Sequence, residues 1–169
     1  MIAKFDITDN DLIAQQKNAI KKTKFHNKIR IMQLVVFFVF VVFILFIYGF
    51  SKNDLLFGMV IYLIVAPFLW KSYERTILKQ FKKDIFKHQK NKMGTFTLTL
   101  SEDGFEKEST NLTETIKWKD IQKLEDDDDL YFLYITDLRA ITIKKEPDNM
   151  NHKEINEYQT YIENKINQI

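Results

Sequence analysis

The residues in this sequence best equipped for chemistry are five consecutive carboxylates, Glu125-Asp126-Asp127-Asp128-Asp129. Clustered carboxylates suit hard cations, and Ca²⁺ takes roughly six to eight oxygen ligands. The spacing of a calcium loop is absent, however, and no glycine supplies its sharp turn. A strand pattern also begins directly at Leu130. The run reads as a solvated acidic turn. The three histidines, His26, His88 and His152, stand far apart among charged neighbours and read as surface positions. Ser51, Ser72, Ser101 and Ser109 have no nucleophile elbow around them. Four glycines in the whole chain leave no phosphate loop and no dinucleotide fingerprint. Without cysteine there is neither a disulfide framework nor a thiolate metal site. The expectation is a protein without catalytic residues, cofactor or metal.

What remains is electrostatic. Lys71, Arg75, Lys79, Lys82, Lys83 and Lys87 interleave with Tyr73, Ile77, Phe81 and Ile85, which recur at spacings of four. The pattern is a helix with one apolar stripe and a basic remainder. Such a helix can lie on anionic lipid, gaining about 1 kcal/mol for each cation near the surface. It can equally continue a preceding span with its charges solvated, and the two readings are compatible. These six cations are the candidate anionic-lipid contacts.

A basic helix of that kind needs an element to hold it at a membrane. Ile31–Phe50 runs 20 residues without a charge, and Gln33 is its only strongly polar member. As an α-helix it would span about 30 Å, the thickness of a hydrocarbon layer. A core helix of a soluble domain would normally carry a polar stripe. A second uncharged run, Leu55–Trp70, follows after only Ser51-Lys52-Asn53-Asp54, so the two runs form a hairpin with a tight tip. Gly58 and Ala66 would permit close helix contact, and Pro67 predicts a kink. Trp70 and Tyr73 suit the interface, where the stem of Lys71 can snorkel.

Charge divides the chain. Residues 1–93 hold 16 Lys/Arg against 6 Asp/Glu, a net of +10; residues 94–169 hold 9 against 17, a net of −8. The basic half carries the apolar runs, so it faces a membrane and not a nucleic acid. Basic residues crowd both flanks of the hairpin while its tip has only Lys52, which predicts that both termini are cytoplasmic.

The soluble elements follow from periodicity. Lys4–Thr8 alternates like a short strand, and Thr8 with Asp11 resembles a capping box that opens a helix near Asp9. From Gly94 the period is two: Phe96, Leu98 and Leu100 share a face, Asp103-Gly104 turns the chain, and Phe105–Ser109 returns. Asn111 marks a further turn. Leu112–Trp118, Leu130–Thr136 and Ala140–Lys144 read as strands, with a turn or break over Lys119–Lys123. Trp118 reads as a core aromatic beside Ile116. Ile155, Tyr158, Ile162, Ile166 and Ile169 form one stripe of a terminal helix.

The segments Leu98-Thr99-Leu100-Ser101-Glu102-Asp103-Gly104-Phe105, Ile116-Lys117-Trp118-Lys119-Asp120-Ile121 and Tyr131-Phe132-Leu133-Tyr134-Ile135 resemble the YcxB-like family, bacterial membrane proteins with two adjacent spans. Lys119 stands where that family usually has serine. The resemblance implies a C-terminal domain similar to pleckstrin-homology (PH)-like domains, and it brings no catalytic residues.

The fold class expected is therefore an α+β membrane protein. A transmembrane hairpin (31–70, with spans 31–50 and 55–70) follows an N-terminal strand and basic helix (1–30). A basic juxtamembrane helix (71–93) then leads to a small antiparallel PH-like domain (94–169), closed by a C-terminal amphipathic helix. The expected function is non-enzymatic: a cytoplasmic domain in a bacterial inner membrane that contacts membrane lipids or an unknown protein partner, and no nucleic acid. The alternative of another class is a membrane-resident immunity protein that blocks a membrane-acting toxin.

Overall fold

The computed structural model describes residues 1–48, 51–88, 92–110 and 112–167, with the side chains of residues 86–88 excepted. The architecture is α+β, and it divides into two compact units. One unit joins Met1–Asn18 to Phe81–Ile169; the other is Ala19–Gln80.

The β-unit begins with β1 (Ile2–Ile7), in which Ala3, Phe5 and Ile7 are buried and the alternate residues exposed. The sequence reading set residues 94–169 apart as the soluble domain. The structure instead pairs β1 antiparallel with β2 (Gly94–Leu100) at six positions, from Ile2 opposite Thr99 to Ile7 opposite Gly94. The domain is thus discontinuous, and Ala19–Gln80 is an insertion between its two segments. Strands β3 (Gly104–Ser109) and β4 (Leu112–Lys117) complete a four-stranded sheet in the order β1-β2-β3-β4. Gly104 is required at the β2–β3 turn, since a Cβ there would lie 2.1 Å from the carbonyl oxygen of Ile116. The expected turn at Asn111 lies outside the described residues.

A second sheet, in the order β5-β6-β7, comprises Lys123–Asp126, Leu130–Thr136 and Arg139–Lys144. The sequence reading lacked β5. It also extended β4 through Trp118, which instead opens a single 3-10 turn over Trp118–Asp120. No side chain caps that turn. Strand β6 lies between two neighbours and is buried on both faces from Leu130 to Tyr134. Its Tyr134 hydroxyl donates to Asn18 Oδ1 (2.9 Å), and its Tyr131 hydroxyl to Glu163 Oε1 (2.7 Å). The outer edge of β1 is covered too: Lys4 N–H donates to Asn149 Oδ1 (2.7 Å), and Asp148 N–H to the Lys4 carbonyl (2.8 Å). An unprotected edge strand invites pairing with another chain, and this one is closed.

Helix α1 (Asp9–Lys22) starts at the expected capping box. Thr8 N–H donates to Asp11 Oδ2 (2.8 Å) and Asp11 N–H to Thr8 Oγ1 (3.3 Å). Helix α4 (His152–Asn167) is capped by Asn151, whose Oδ1 accepts from the amides of Lys153 and Glu154. Its Tyr158 and Ile162 are fully buried in a core that includes Phe5, Phe96, Phe105, Trp118 and Leu133. Ile169, the expected end of the stripe, lies outside the described residues.

The second unit is a helical hairpin. Helix α2 (Lys24–Tyr48) follows Thr23, whose hydroxyl donates to the Ala19 carbonyl (2.9 Å). Residues 49 and 50, the expected end of the first span, lie outside the described residues. Ser51 caps helix α3 (Lys52–His88) by a reciprocal bond with Asp54. The sequence reading ended a span at Trp70 and began a separate basic helix at Lys71. The structure has one helix through both, with Pro67 inside it. Nothing at residues 70–73 breaks a helix, and a proline is tolerated within an apolar span where neighbouring groups re-satisfy the freed carbonyl. The two helices touch as Gly58 anticipates, since a Cβ there would meet Leu45 Cδ1 at 2.9 Å. Tyr62 stacks on Phe37 at 5.7 Å and takes Phe38 edge-on at 5.6 Å.

Both helices are long and apolar enough to cross a membrane. The most apolar stretch of α2 has none of its residues buried, and that of α3 only 6%. Val36, Phe46, Leu56, Phe57, Leu63 and Phe68 all stand exposed. Soluble monomers rarely expose contiguous apolar patches beyond a few hundred Å². The walls of this hairpin are of the wrong chemistry for water, and they suggest association with a membrane.

Candidate functional site

Three places gather groups that could do something beyond holding the fold. The first is the basic stretch of α3. Lys71, Arg75 and Lys79 follow at spacings of four and are exposed, while Tyr73, Glu74, Ile77 and Leu78 between them are half-buried. Lys82 and Lys83 are exposed as well. The side chain of Lys87, the sixth residue chosen from sequence, lies outside the described ones. No carboxylate pairs with the five described cations in a salt bridge among the described residues.

The second is a polar cluster at the base of the hairpin, which the sequence reading missed. His26, expected at the surface, is buried, and its Nδ1 lies 2.7 Å from the Tyr73 hydroxyl. Arg30, one turn further on, is buried too. Its guanidinium lies over the rings of Trp70 (4.9 Å) and Tyr73 (5.5 Å), with Glu74 at 3.9 Å. Cation–π attraction of this kind is worth about 0.5–2 kcal/mol, rising with desolvation. The cluster fastens α2 to α3 where both leave the apolar zone. Trp70 and Tyr73, read from sequence as interfacial, are the aromatic side of that clamp.

The third is Lys107, on β3. It is only 6% exposed, and its ammonium donates to the Thr142 carbonyl (3.0 Å) and lies 4.1 Å from the centre of the Phe96 ring. Burial brings its pKa down to about 8; the carboxylate of Glu114 works against that and Lys92 adds to it. A cavity of about 50 Å³ adjoins it, lined among others by Gln15, Lys92, Glu114, Arg139 and Thr142. Gln15 helps build the wall: it accepts from Thr142 Oγ1 (2.7 Å) and donates to the Ala140 carbonyl (3.2 Å). A signal for Lys107 existed in the sequence, because it sits two residues after Phe105 and so on the same inward face.

The acidic run covers the end of β5 and the β5–β6 turn. Asp127 Oδ1 accepts from the amides of Asp129 (3.1 Å) and Leu130 (2.9 Å), and Asp126 pairs with Lys145 at 2.6 Å. Those carboxylates are engaged in shaping and anchoring a turn. Among the described residues, no three His, Asp or Glu side chains are gathered to hold a metal ion. Trp118 is buried, as expected, against Phe105 and Tyr161.

With β3, β4, the Trp118 turn, β6 and α4 in view, comparison with known families becomes informative. Residues 100–162 match the YcxB-like protein family. The match runs from the end of β2 to most of α4, so it takes in the three segments on which the resemblance rests, apart from the first residues of the earliest one. It leaves out β1 and the apolar hairpin. No curated protein matches the chain, and no solved structure does.

Proposed function

We propose that this chain is a non-enzymatic two-span protein of a bacterial cytoplasmic membrane. It presents a PH-like β-unit at the cytoplasmic face, where the basic stretch of α3 engages anionic lipid. The observation that carries this reading is the pairing of β1 with β2. Ile7 and Gly94 are cross-strand neighbours in one folded body, so the two ends of the inserted hairpin cannot lie on opposite sides of a membrane. An even number of crossings between them follows, and α2 and α3 supply two. The basic flanks then choose the cytoplasmic side. The two antiparallel sheets with a terminal helix support the PH-like reading.

Single cysteines in this cysteine-free chain test the orientation. A cysteine at Asn53, by the hairpin tip, is expected to react with a membrane-impermeant thiol reagent in intact cells. One at Asp128, in the exposed acidic turn, is expected to react only after lysis. Labelling at Asp128 in intact cells would reverse the topology.

The lipid contact has its own test. In nanodiscs, amides from Lys71 to Ile85 should exchange hydrogen more slowly with anionic lipid than with phosphatidylcholine alone. With Lys71, Arg75, Lys79, Lys82 and Lys83 all changed to glutamine, the difference should vanish, since each cation near the surface contributes about 1 kcal/mol. Equal exchange in the two lipids for the native chain would leave α3 a solvated continuation of the span.

A further inference from the structure

We propose that the cavity beside Lys107 is a binding site for one phosphate-type oxyanion, held by Lys107, Lys92 and Arg139. This inference is independent of the two-span reading, because every residue it uses lies in the β-unit. Three cations and one carboxylate line the cavity, and the carboxylate, Glu114, is already paired with Arg139 at 3.2 Å. Lys92 and Arg139 are exposed while Lys107 is buried, so the positive charge runs from the surface to the interior wall. Of the three hydrogen bonds an ammonium can donate, Lys107 makes one to the protein among the described residues, to Thr142.

A buried charge left short of acceptors is costly, and an unpaired lysine is rarely kept inside a core. The apolar faces of Phe96 and Phe5 attract the ammonium but accept no conventional hydrogen bond. An oxyanion in the cavity would supply the missing acceptors. A volume of about 50 Å³ is several times the 10–15 Å³ or so that one water needs, so a tetrahedral group of that size can enter. The guanidinium of Arg139 offers the planar donor fork that suits such a group, and the two lysines act as point charges around it. The same chemistry is found in free phosphate and in a phosphomonoester lipid headgroup.

The test uses the full chain in mild detergent at pH 7, with the melting midpoint followed against two probes at fixed ionic strength. One probe is inorganic phosphate replacing chloride. The other is phosphatidylcholine bicelles with and without phosphatidic acid. A saturable rise is expected with at least one of them: phosphate alone identifies a free anion, and phosphatidic acid alone a headgroup. Lys107→Met keeps the volume and removes the charge. It is expected to melt no lower than the native chain without ligand, and to lose the response to either probe. Arg139→Gln, at an exposed position, should weaken the response about tenfold, the worth of one charge-assisted contact, and it carries the test if Lys107→Met does not fold. The glutamine set on α3 should leave the response intact, which separates this site from lipid contact along that helix. The response should also fade as pH rises beyond about 8, where Lys107 loses its proton. No saturable response to either probe, or an undiminished one in Lys107→Met and Arg139→Gln, overturns the site.

Discussion

Residues 94–169 produced alone are expected to remain unfolded, whereas the whole β-unit, Met1–Asn18 joined to Phe81–Ile169, should fold. Strand β1 buries Ala3, Phe5 and Ile7 completely or nearly so, and it supplies one whole edge of the four-stranded sheet. Burying a phenylalanine and an isoleucine is worth about 1.5–3 kcal/mol each. Helix α1 adds the buried Leu12, the Asp11–Lys144 ion pair at 3.0 Å, and the bonds of Gln15 and Asn18 to β7 and β6. Against a total stability of roughly 5–15 kcal/mol for a small domain, losing all of these leaves nothing to hold the sheet. Phe96 and Leu98 would in addition face water along a bare strand edge. A Gly/Ser linker from Asn18 to Phe81 can replace Ala19–Gln80, and it leaves the buried Ile85 in the β-unit. Circular dichroism and a urea melt on both fragments decide the matter. A cooperative transition for 94–169 alone, at the midpoint of the joined protein, would mean that β1 is an accessory.

The role of β1 marks where the sequence stopped being readable. Its alternation is visible in Lys4–Thr8, and its pairing is not, because the partner strand lies beyond two apolar helices. Local periodicity defines a strand and a face; it carries no information about a neighbour so far along the chain. Strand β5 was lost for a different reason. Three of the four residues of Lys123-Leu124-Glu125-Asp126 are charged, and the strand lies at a sheet edge, where exposed polar residues are normal and the alternation is weak. Elements with a clear apolar pattern were legible: β2, β3, β6, β7 and α4 fall close to where their apolar residues put them.

The candidate sites divide along the same line. The exposed cations of α3 could be found by counting charges along a helix. His26 and Arg30 could not, since their burial depends on where Trp70 and Tyr73 lie on a second helix. Lys107 is the instructive case. It was not singled out from the sequence, although the two-residue period puts it on the same face as Phe105, because the general rule keeps lysines outside. The period prevailed, which is a reason to treat a charged residue in an inward register as a site and not as noise in the pattern.

Trp118 should prove the most sensitive single side chain in the β-unit. Trp118→Ala is expected to cost about 3–5 kcal/mol, from lost burial and the cavity left behind. The ring is 5% exposed, with the Phe105 ring at 5.2 Å and the Tyr161 ring at 6.3 Å. Its Nε1–H donates to the Ser101 carbonyl (3.0 Å), and the Tyr161 hydroxyl donates to the same oxygen (2.8 Å). One indole therefore ties the 3-10 turn to the β2–β3 turn and to α4. Trp118→Phe separates the two contributions. It keeps most of the apolar ring and drops the donor, while Tyr161 still satisfies Ser101, so about 1 kcal/mol should be lost on that account. The smaller ring adds a modest packing cost. Urea melts on the joined β-unit should therefore rank native above Trp118→Phe and Trp118→Phe well above Trp118→Ala. A Trp118→Ala variant within about 1 kcal/mol of native would mean that α4 and the β2–β3 turn are held by other contacts, and that the tryptophan fills space without organising it.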